Sequence, residues 1–153
     1  MSRATVEPYE AANEIRITRV YDAPVALVWD AWTKDEHVVH WWGPRGFSLT
    51  THSKDLRPGG SWRYVWRNAQ GREFPATGTY REVEPPTRLV SVTHFEGEEQ
   101  TSTTTFAEES GRTTVTVTML FASKASRDRG LPYAKVGTEM NHARLDAYLA
   151  ARR

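Results

Sequence analysis

The sequence predicts an α+β fold in which a seven-stranded antiparallel sheet packs against one long C-terminal helix. Two observations predict it: short segments of alternating apolar and polar residues separated by turn sequences, and a long helical pattern at the end of the chain. The order is one strand, two short helices, six strands and the long helix. Because the strands follow one another through short turns, they are expected to pair as hairpins. One face of this sheet then needs cover, which only the last helix is long enough to provide.

Composition places the chain among ordinary globular proteins. Its 153 residues fit one domain, with 39% hydrophobic and 25% charged residues. The formal net charge of +1 gives no reason to expect nucleic acid or a membrane as a partner. The chain has no cysteine, which excludes disulfides, thiolate metal sites and a cysteine nucleophile. No apolar run resembles a signal peptide or a membrane span, so the cytoplasm is the expected location.

The first part of the chain predicts a leader, one strand and two short helices. Residues 1–13 show no periodicity and are expected to form a polar leader ahead of a single domain, 14–153. The β-branched residues of 14–21 predict the first strand. A helix is expected to follow with Pro24 at its first position, where the missing N–H costs nothing. Residues 34–41 predict a second short helix, which a Gly-Pro pair ends.

The rest of the chain predicts six strands and the long helix. In the second of these strands, alternation places Trp62, Tyr64 and Trp66 on one face of the sheet. The C-terminal stretch 131–151 has helical content throughout, and at about 1.5 Å per residue it could reach roughly 30 Å, enough to cross the sheet. The six expected strands span residues 47–56, 61–68, 74–83, 89–95, 101–108 and 113–121.

Several motifs between residues 21 and 90 together carry a family resemblance that extends over residues 14 to about 150. They are Tyr21-Asp22-Ala23-Pro24 with Val28-Trp29, Trp41-Trp42-Gly43-Pro44, Asp55-Leu56-Arg57-Pro58-Gly59-Gly60, Gly78-Thr79-Tyr80-Arg81-Glu82-Val83 and Pro85-Pro86-Thr87-Arg88-Leu89-Val90. In this combination the chain resembles the SRPBCC superfamily of START-like proteins, and within it the bacterial group related to the C-terminal domain of the heat-shock protein 90 ATPase activator. The resemblance implies a helix-grip fold, a curved seven-stranded sheet wrapped on the C-terminal helix, with a hydrophobic cavity between them.

The resemblance implies a cavity but no particular reaction, since this fold serves many functions. The first hypothesis is binding of a small hydrophobic or amphipathic molecule in the cavity. The second is a cyclase-like or hydrolase-like enzyme that uses a cavity histidine or a carboxylate such as Asp30, Glu73 or Glu139. The third is a module that regulates a chaperone ATPase. A homodimer is plausible for the group, although the sequence shows no clear interface, and no cofactor is expected.

The candidate ligand-binding residues combine large rings with a few polar side chains. The rings and the methionine could equally be plain core packing, because a cavity is an incompletely filled core. His94 and His142 could face each other across the cavity, where a neutral imidazole both donates and accepts hydrogen bonds. A surface position is the alternative for His94. The candidates are Trp41, Tyr64, Trp66, Phe74, Tyr80, His94, Met119, Thr138 and His142.

The last helix departs from the family pattern at two of these candidates. Many members of the group carry a Gly-Trp pair there, followed by a leucine four residues after the tryptophan. In this chain Gly137 precedes Thr138, and the later position is His142. The resemblance therefore implies a larger and more polar cavity, with a hydroxyl and an imidazole on its helix wall.

No metal site is predicted. His37 and His40 are spaced to share a helix face, and His52 is a third imidazole, but no further ligand follows at a zinc-binding spacing. An exposed face of a short helix explains the two helical histidines better. The sequence also contains no Ser-His-Asp order and no glycine-rich phosphate loop.

Overall fold

The computed structural model describes residues 5–8, 13–38, 41, 48–95 and 98–152, with side chains for all of these except 5–8, 35, 51–52, 95 and 133–139. Its strands and helices follow one another in nearly the order that the sequence predicts. In chain order they are β1 (Thr5–Pro8), β2 (Glu14–Tyr21), α1 (Val25–Thr33), α2 (Asp35–Val38), β3 (Ser48–Lys54), β4 (Ser61–Arg67), β5 (Glu73–Glu84), β6 (Arg88–Phe95), β7 (Glu98–Glu109), β8 (Arg112–Phe121) and α3 (Lys124–Ala150).

The strands form one antiparallel sheet in the order β1-β2-β8-β7-β6-β5-β4-β3. The predicted α+β helix-grip fold with its curved antiparallel sheet is confirmed. The sheet has one strand more than predicted, because Thr5–Pro8 pairs with Ile15–Thr18 at its edge. Four residues are too few to show a period, so this edge strand left no pattern in the segment expected to be a leader. Register shifts in the β3–β4 and β5–β6 pairs add local twist.

The turn at 57–60 fixes the start of β4 against β5. Gly59 has a positive φ of 84°, and its N–H donates to the Tyr80 carbonyl at 2.8 Å. The Tyr80 N–H donates in return to the Gly60 carbonyl at 2.9 Å. A Cβ at Gly60 would lie 2.0 Å from the carbonyl oxygen of Asp55, so only glycine fits. This turn therefore sets the position of Tyr80.

The two faces of the sheet differ in what covers them. Tyr21, Tyr64 and Val115 share one buried cluster with Leu145 and Leu149 of α3. We call the face that carries these side chains the helix-side face, and the opposite one the outer face. The registers assign alternate residues of each strand to one face or the other. Helix α3 packs on β2 and β8, and α1 packs on β7 and β8.

The helices differ from prediction mainly at their ends. Helix α3 begins at Lys124 rather than at 131, after Ser123, whose side chain accepts a hydrogen bond from the N–H of Ser126. Pro132 lies inside this helix, in its first half. Pro24 precedes α1 as its N-cap rather than occupying the first helical position. In the described part of the chain, no helix is both long and apolar enough to cross a membrane.

Candidate functional site

A charged side chain lies on the helix-side face of β2. Ile15, Ile17, Arg19 and Tyr21 alternate with outward residues and pair with Met119, Val117, Val115 and Thr113 of β8. Arg19 therefore points toward α3 among apolar neighbours, and only 5% of it is exposed. A buried guanidinium in this position needs partners, because an unpaired buried charge is strongly destabilising.

Helix α3 supplies those partners from one of its faces. His142 and Asp146 are four residues apart, so they project from the same side of the helix. Arg19 Nε donates to His142 Nδ1 at 2.7 Å, and Arg19 Nη2 lies 3.3 Å from Asp146 Oδ2. His142 Nε2 lies 2.7 Å from the same Asp146 oxygen. We call these three residues the Arg19 triad.

The triad fixes the state of the imidazole. An arginine Nε can only donate, so His142 Nδ1 must be the unprotonated acceptor nitrogen. The ring proton then lies on Nε2, which is the nitrogen beside the Asp146 carboxylate. Nδ1 is thus occupied by Arg19, whereas Nε2 lies beside the Asp146 carboxylate without the geometry of a hydrogen bond to it. His142 lies in the interior, as expected, yet its nitrogens are turned to Arg19 and Asp146.

Tyr21 packs directly against the triad. Its ring centroid lies 5.2 Å from that of His142 and 6.4 Å from that of Trp32. Burial raises the pKa of the Tyr21 phenol well above its usual value. The Asp146 carboxylate raises it further, whereas the Arg19 guanidinium lowers it. The phenol therefore stays neutral throughout the physiological range.

The predicted aromatic row on β4 is present on the helix-side face. The ring centroids of Trp62 and Tyr64 are 5.7 Å apart, and those of Tyr64 and Trp66 are 5.8 Å apart. Gly78 of β5 makes room for the first ring, since a Cβ there would lie 2.4 Å from the Trp62 side chain. Tyr64 is buried, as is Tyr80 on β5, whereas Trp66 is only partly buried.

Trp41 is buried and packs on α1. Its indole N–H donates to the Ala31 carbonyl at 2.8 Å, and its ring lies 5.0 Å from that of Trp32. Trp32 in turn packs edge-on against Phe106 of β7. Trp41 thus fastens the short helices to the sheet. Trp42, beside it in the motif, lies outside the described residues.

The helix-side face carries two groups of side chains that differ in burial, which we call the closed end and the open end. Large side chains are buried at the closed end and partly exposed at the open end. The two groups adjoin, since Tyr64 pairs with Ala76 and Tyr80 with Ser91, and the completely buried Ile15 pairs with Met119. The closed end comprises Tyr21, Tyr64, Tyr80, Leu89, Phe106, Val115, Leu145 and Leu149. The open end comprises Ile17, Trp66, Phe74, Ala76 and Met119, with the polar residues Ser91, Thr93, Gln100 and Ser102 between them on β6 and β7.

One predicted site residue does not join this face, and the side chain of another is not among those described. The expectation that His94 faces His142 is corrected by the register, which pairs His94 with Thr77 and Glu99 on the outer face, where its side chain is exposed. Its neighbour Thr93 occupies the helix-side position instead, because a strand alternates its side chains. The side chain of Thr138 lies outside the described residues.

A protein-family model matches residues 22–150, which is most of the chain, and its description is Activator of Hsp90 ATPase homolog 1-like protein. The chain belongs to this family. The resemblance drawn from the motifs is thereby confirmed. Membership of the family fits the curved sheet and the long helix, and it leaves the ligand and the reaction open.

Solved structures of bacterial proteins share the fold of this family member. A protein from Rhodobacter sphaeroides is 26% identical, with a TM-score of 0.90 over 99% of this chain and 100% of that one. One from Staphylococcus epidermidis is 25% identical, with a TM-score of 0.85 over 97% and 95%. One from Nitrosomonas europaea, 23% identical, has a TM-score of 0.85 over 96% and 100%. No curated protein matches the chain.

Sequence reasoning missed Arg19 and Asp146. A signal for each was present: Arg19 interrupts the apolar alternation of β2, and Asp146 follows His142 at the spacing of one helical turn. The two residues are 127 positions apart, and only the fold joins them. A charged residue at an alternation position predicted to be buried is the observation that could have found the site.

The histidines considered for zinc have other surroundings. His37 Nδ1 hydrogen-bonds to the Tyr148 hydroxyl, which ties α2 to α3. The side chains of His40 and His52 lie outside the described part of the chain. Among the described residues, no group of three or more histidine and carboxylate side chains is arranged to hold a metal ion.

Proposed function

We propose that this protein binds a small, largely apolar molecule that carries a polar group, between the open end of the sheet and helix α3. The observation that carries the proposal is the partial exposure of large apolar side chains on an interior-facing surface. Trp66, Phe74 and Met119 lie on the helix-side face but are not fully buried. Concave sites lined by aromatic and aliphatic side chains are the usual binding sites for small molecules.

The polar side chains of the open end support an amphipathic ligand. Ser91 and Thr93 of β6 and Gln100 and Ser102 of β7 occupy helix-side positions. Hydroxyl and amide groups there can donate to and accept from a ligand that otherwise contacts rings. A site meant only for packing would carry apolar residues at these positions, as β8 does at the buried Val115.

The structure gives less support to the enzymatic alternative. A general base needs a free lone pair within hydrogen-bond reach of a substrate proton. The acceptor nitrogen of His142 already receives the Arg19 Nε–H at 2.7 Å. The Asp30 and Glu73 side chains are 42% and 51% exposed, so neither carboxylate is held in a buried environment. Glu139 lies among the residues whose side chains are not described.

Regulation of a chaperone ATPase is a second candidate function, and the description of the family is the observation that favours it. Adding the purified protein to the cognate chaperone and measuring the ATP hydrolysis rate tests it. A raised rate at saturating protein supports this function, and an unchanged rate ends it. Ligand binding does not depend on the outcome.

The test of ligand binding has two parts. The protein purified from its own host is denatured and extracted, and the extract is analysed by mass spectrometry for a copurified small molecule. The purified protein is then titrated with Prodan, a naphthyl ketone whose fluorescence rises in apolar surroundings. We expect saturable binding with one site per chain.

A matched pair of variants on β5 locates the site. Ala76→Trp fills the open end, since Ala76 lies on the helix-side face beside Phe74. Thr77→Trp adds the same ring to the exposed outer face of the same strand. We expect the first variant to lose Prodan binding while the second retains it, with both unfolding cooperatively. Retention of full binding by Ala76→Trp would contradict the proposed location.

A further inference from the structure

One edge of the planar Arg19 guanidinium donates hydrogen bonds, and the other edge has no hydrogen-bond partner among the described residues. Its Nε and Nη2 lie on the same edge of the planar group, and this edge meets His142 and Asp146 at 2.7 and 3.3 Å. Nη1 lies on the other edge, turned away from both partners by covalent geometry. It is completely buried and has no hydrogen-bond partner among the described residues.

A buried donor of this kind calls for an acceptor. Nη1 carries two N–H groups of a charged guanidinium, and leaving them unpaired away from water is destabilising. Arg19 itself lies between Ile17 at the open end and Tyr21 at the closed end of the same strand. Arg19 therefore borders the surface proposed above to hold the ligand, and Nη1 is its unpaired donor.

The charge balance of the triad limits which acceptor fits. The single positive charge of Arg19 is already matched by the Asp146 carboxylate, and the imidazole is neutral in this hydrogen-bond arrangement. A carboxylate brought to Nη1 would leave one net negative charge in a buried environment, at a high desolvation cost. A neutral oxygen accepts the same hydrogen bond without that cost.

We propose that Arg19 Nη1 donates to an uncharged carbonyl oxygen of the ligand, so that the ligand class is an apolar molecule bearing a ketone, ester or amide. The proposal rests on the proposed function and deepens it. His142 and Asp146 are then positioning residues: they hold the guanidinium so that its other edge faces the ligand. The phenol of Tyr21, neutral beside them, preserves this balance of charge.

Three naphthyl probes of similar size test the proposal on the wild-type protein. Acetylnaphthalene carries the neutral carbonyl, naphthoate carries a carboxylate, and ethylnaphthalene carries neither. Their affinities are measured by displacement of bound Prodan. We expect the ketone to bind about tenfold more tightly than the hydrocarbon, and more tightly than the carboxylate. Equal affinities for the ketone and the hydrocarbon would overturn the proposal, since the carbonyl would then gain nothing from Nη1.

Two variants test whether Arg19 is the donor. Arg19→Met should abolish the preference for the ketone and shift the emission of bound Prodan to shorter wavelength, because its carbonyl loses a hydrogen bond. Arg63→Met, on the exposed outer face of β4, is the matched control and should change neither. Asp146→Asn should leave ketone binding intact and raise naphthoate affinity about tenfold, since it removes the balancing charge.

The outcomes separate this proposal from the proposed function. If none of the probes binds wild-type protein, the proposed function fails. If all bind and the Arg19→Met and Asp146→Asn variants leave their ranking unchanged, ligand binding stands and the role of Arg19 is refuted. A merely structural Arg19 would lower the affinity of all probes together and would not reverse the ranking in Asp146→Asn.

Discussion

The closed and open ends of the helix-side face are built from the same strands, yet they differ in how completely their side chains are buried. At the closed end, Tyr64, Phe106 and Leu145 are buried in one continuous cluster. At the open end, Trp66 follows Tyr64 on the same face of β4, Met119 lies on β8, and both stay partly exposed. We infer that the closed end supplies most of the stability of the fold. The open end can therefore remain incompletely packed. The Arg19 triad lies where the two ends meet.

The largest expected effect is a loss of stability at the closed end. Leu145→Ala removes a completely buried side chain and should lower the free energy of unfolding by about 3 kcal/mol. Met119→Ala at the open end should lower it by about 1 kcal/mol, because that side chain is already partly exposed. Urea denaturation measures both. Equal losses would contradict the division of the face into two ends.

The junction between the two ends should show the next largest effect. Arg19→Met leaves Asp146 with only His142 beside it and should cost about 2 kcal/mol, less than for a fully buried pair because the Asp146 side chain is 34% exposed. Arg63→Met, on the outer face, should change stability by about 0.5 kcal/mol or less. If the two variants unfold at the same urea concentration, the triad makes no measurable contribution to the free energy of unfolding.

A third prediction concerns pH. The pKa of Tyr21 is raised in the folded state above the 10.0 of an ordinary phenol, so folded protein holds that proton more tightly than unfolded protein. The resulting stability is fully present below about pH 10 and is lost as pH rises toward the folded-state value, by at most about 1.4 kcal/mol per pH unit. Tyr21→Phe should lack this loss. Urea titrations of both proteins between neutral and strongly alkaline pH measure the difference, and parallel curves would refute it.

The smallest expected effect is at the contact between α2 and α3. Tyr148→Phe removes the hydroxyl that bonds to His37 and keeps the ring beneath the Arg152 guanidinium, 3.4 Å away. We expect a loss of about 1 kcal/mol or less, because a single hydrogen bond at a partly buried site contributes little net stability. Thermal unfolding checks this. A loss larger than that of Arg19→Met would show that this contact contributes more to the stability of the fold than the triad does.

The parts of the fold that follow from local pattern could be predicted from sequence. Alternation on β4 assigned Trp62, Tyr64 and Trp66 to one face, and the turns between strands fixed an antiparallel sheet. The edge strand Thr5–Pro8 was missed because its pairing with β2 comes from position and not from its own residues. The start of α3 was missed for two reasons: Pro132 lies inside the helix, and the residues after Ser123 are polar. Both features are untypical of a helix interior, although Ser123 caps the helix at its first residue.

The candidate site was only half predictable. His142 could be identified from the sequence because it occupies a position on the last helix that the family fills with an apolar residue. Arg19 could not be assigned a role, because its partners lie more than one hundred residues away and their approach depends on how α3 crosses β2. The inward position considered for His94 is not the one observed. A strand histidine points inward or outward according to the register, which the sequence alone left open.

The most direct measurement of the central claim follows methyl resonances by NMR while Prodan is added. Ala76 and Met119 supply methyl groups at the open end, and Leu145 and Leu149 supply them at the closed end. Binding at the open end predicts large shifts for the first pair and small shifts for the second. Shifts confined to the leucines, or spread evenly over both ends, would contradict the account.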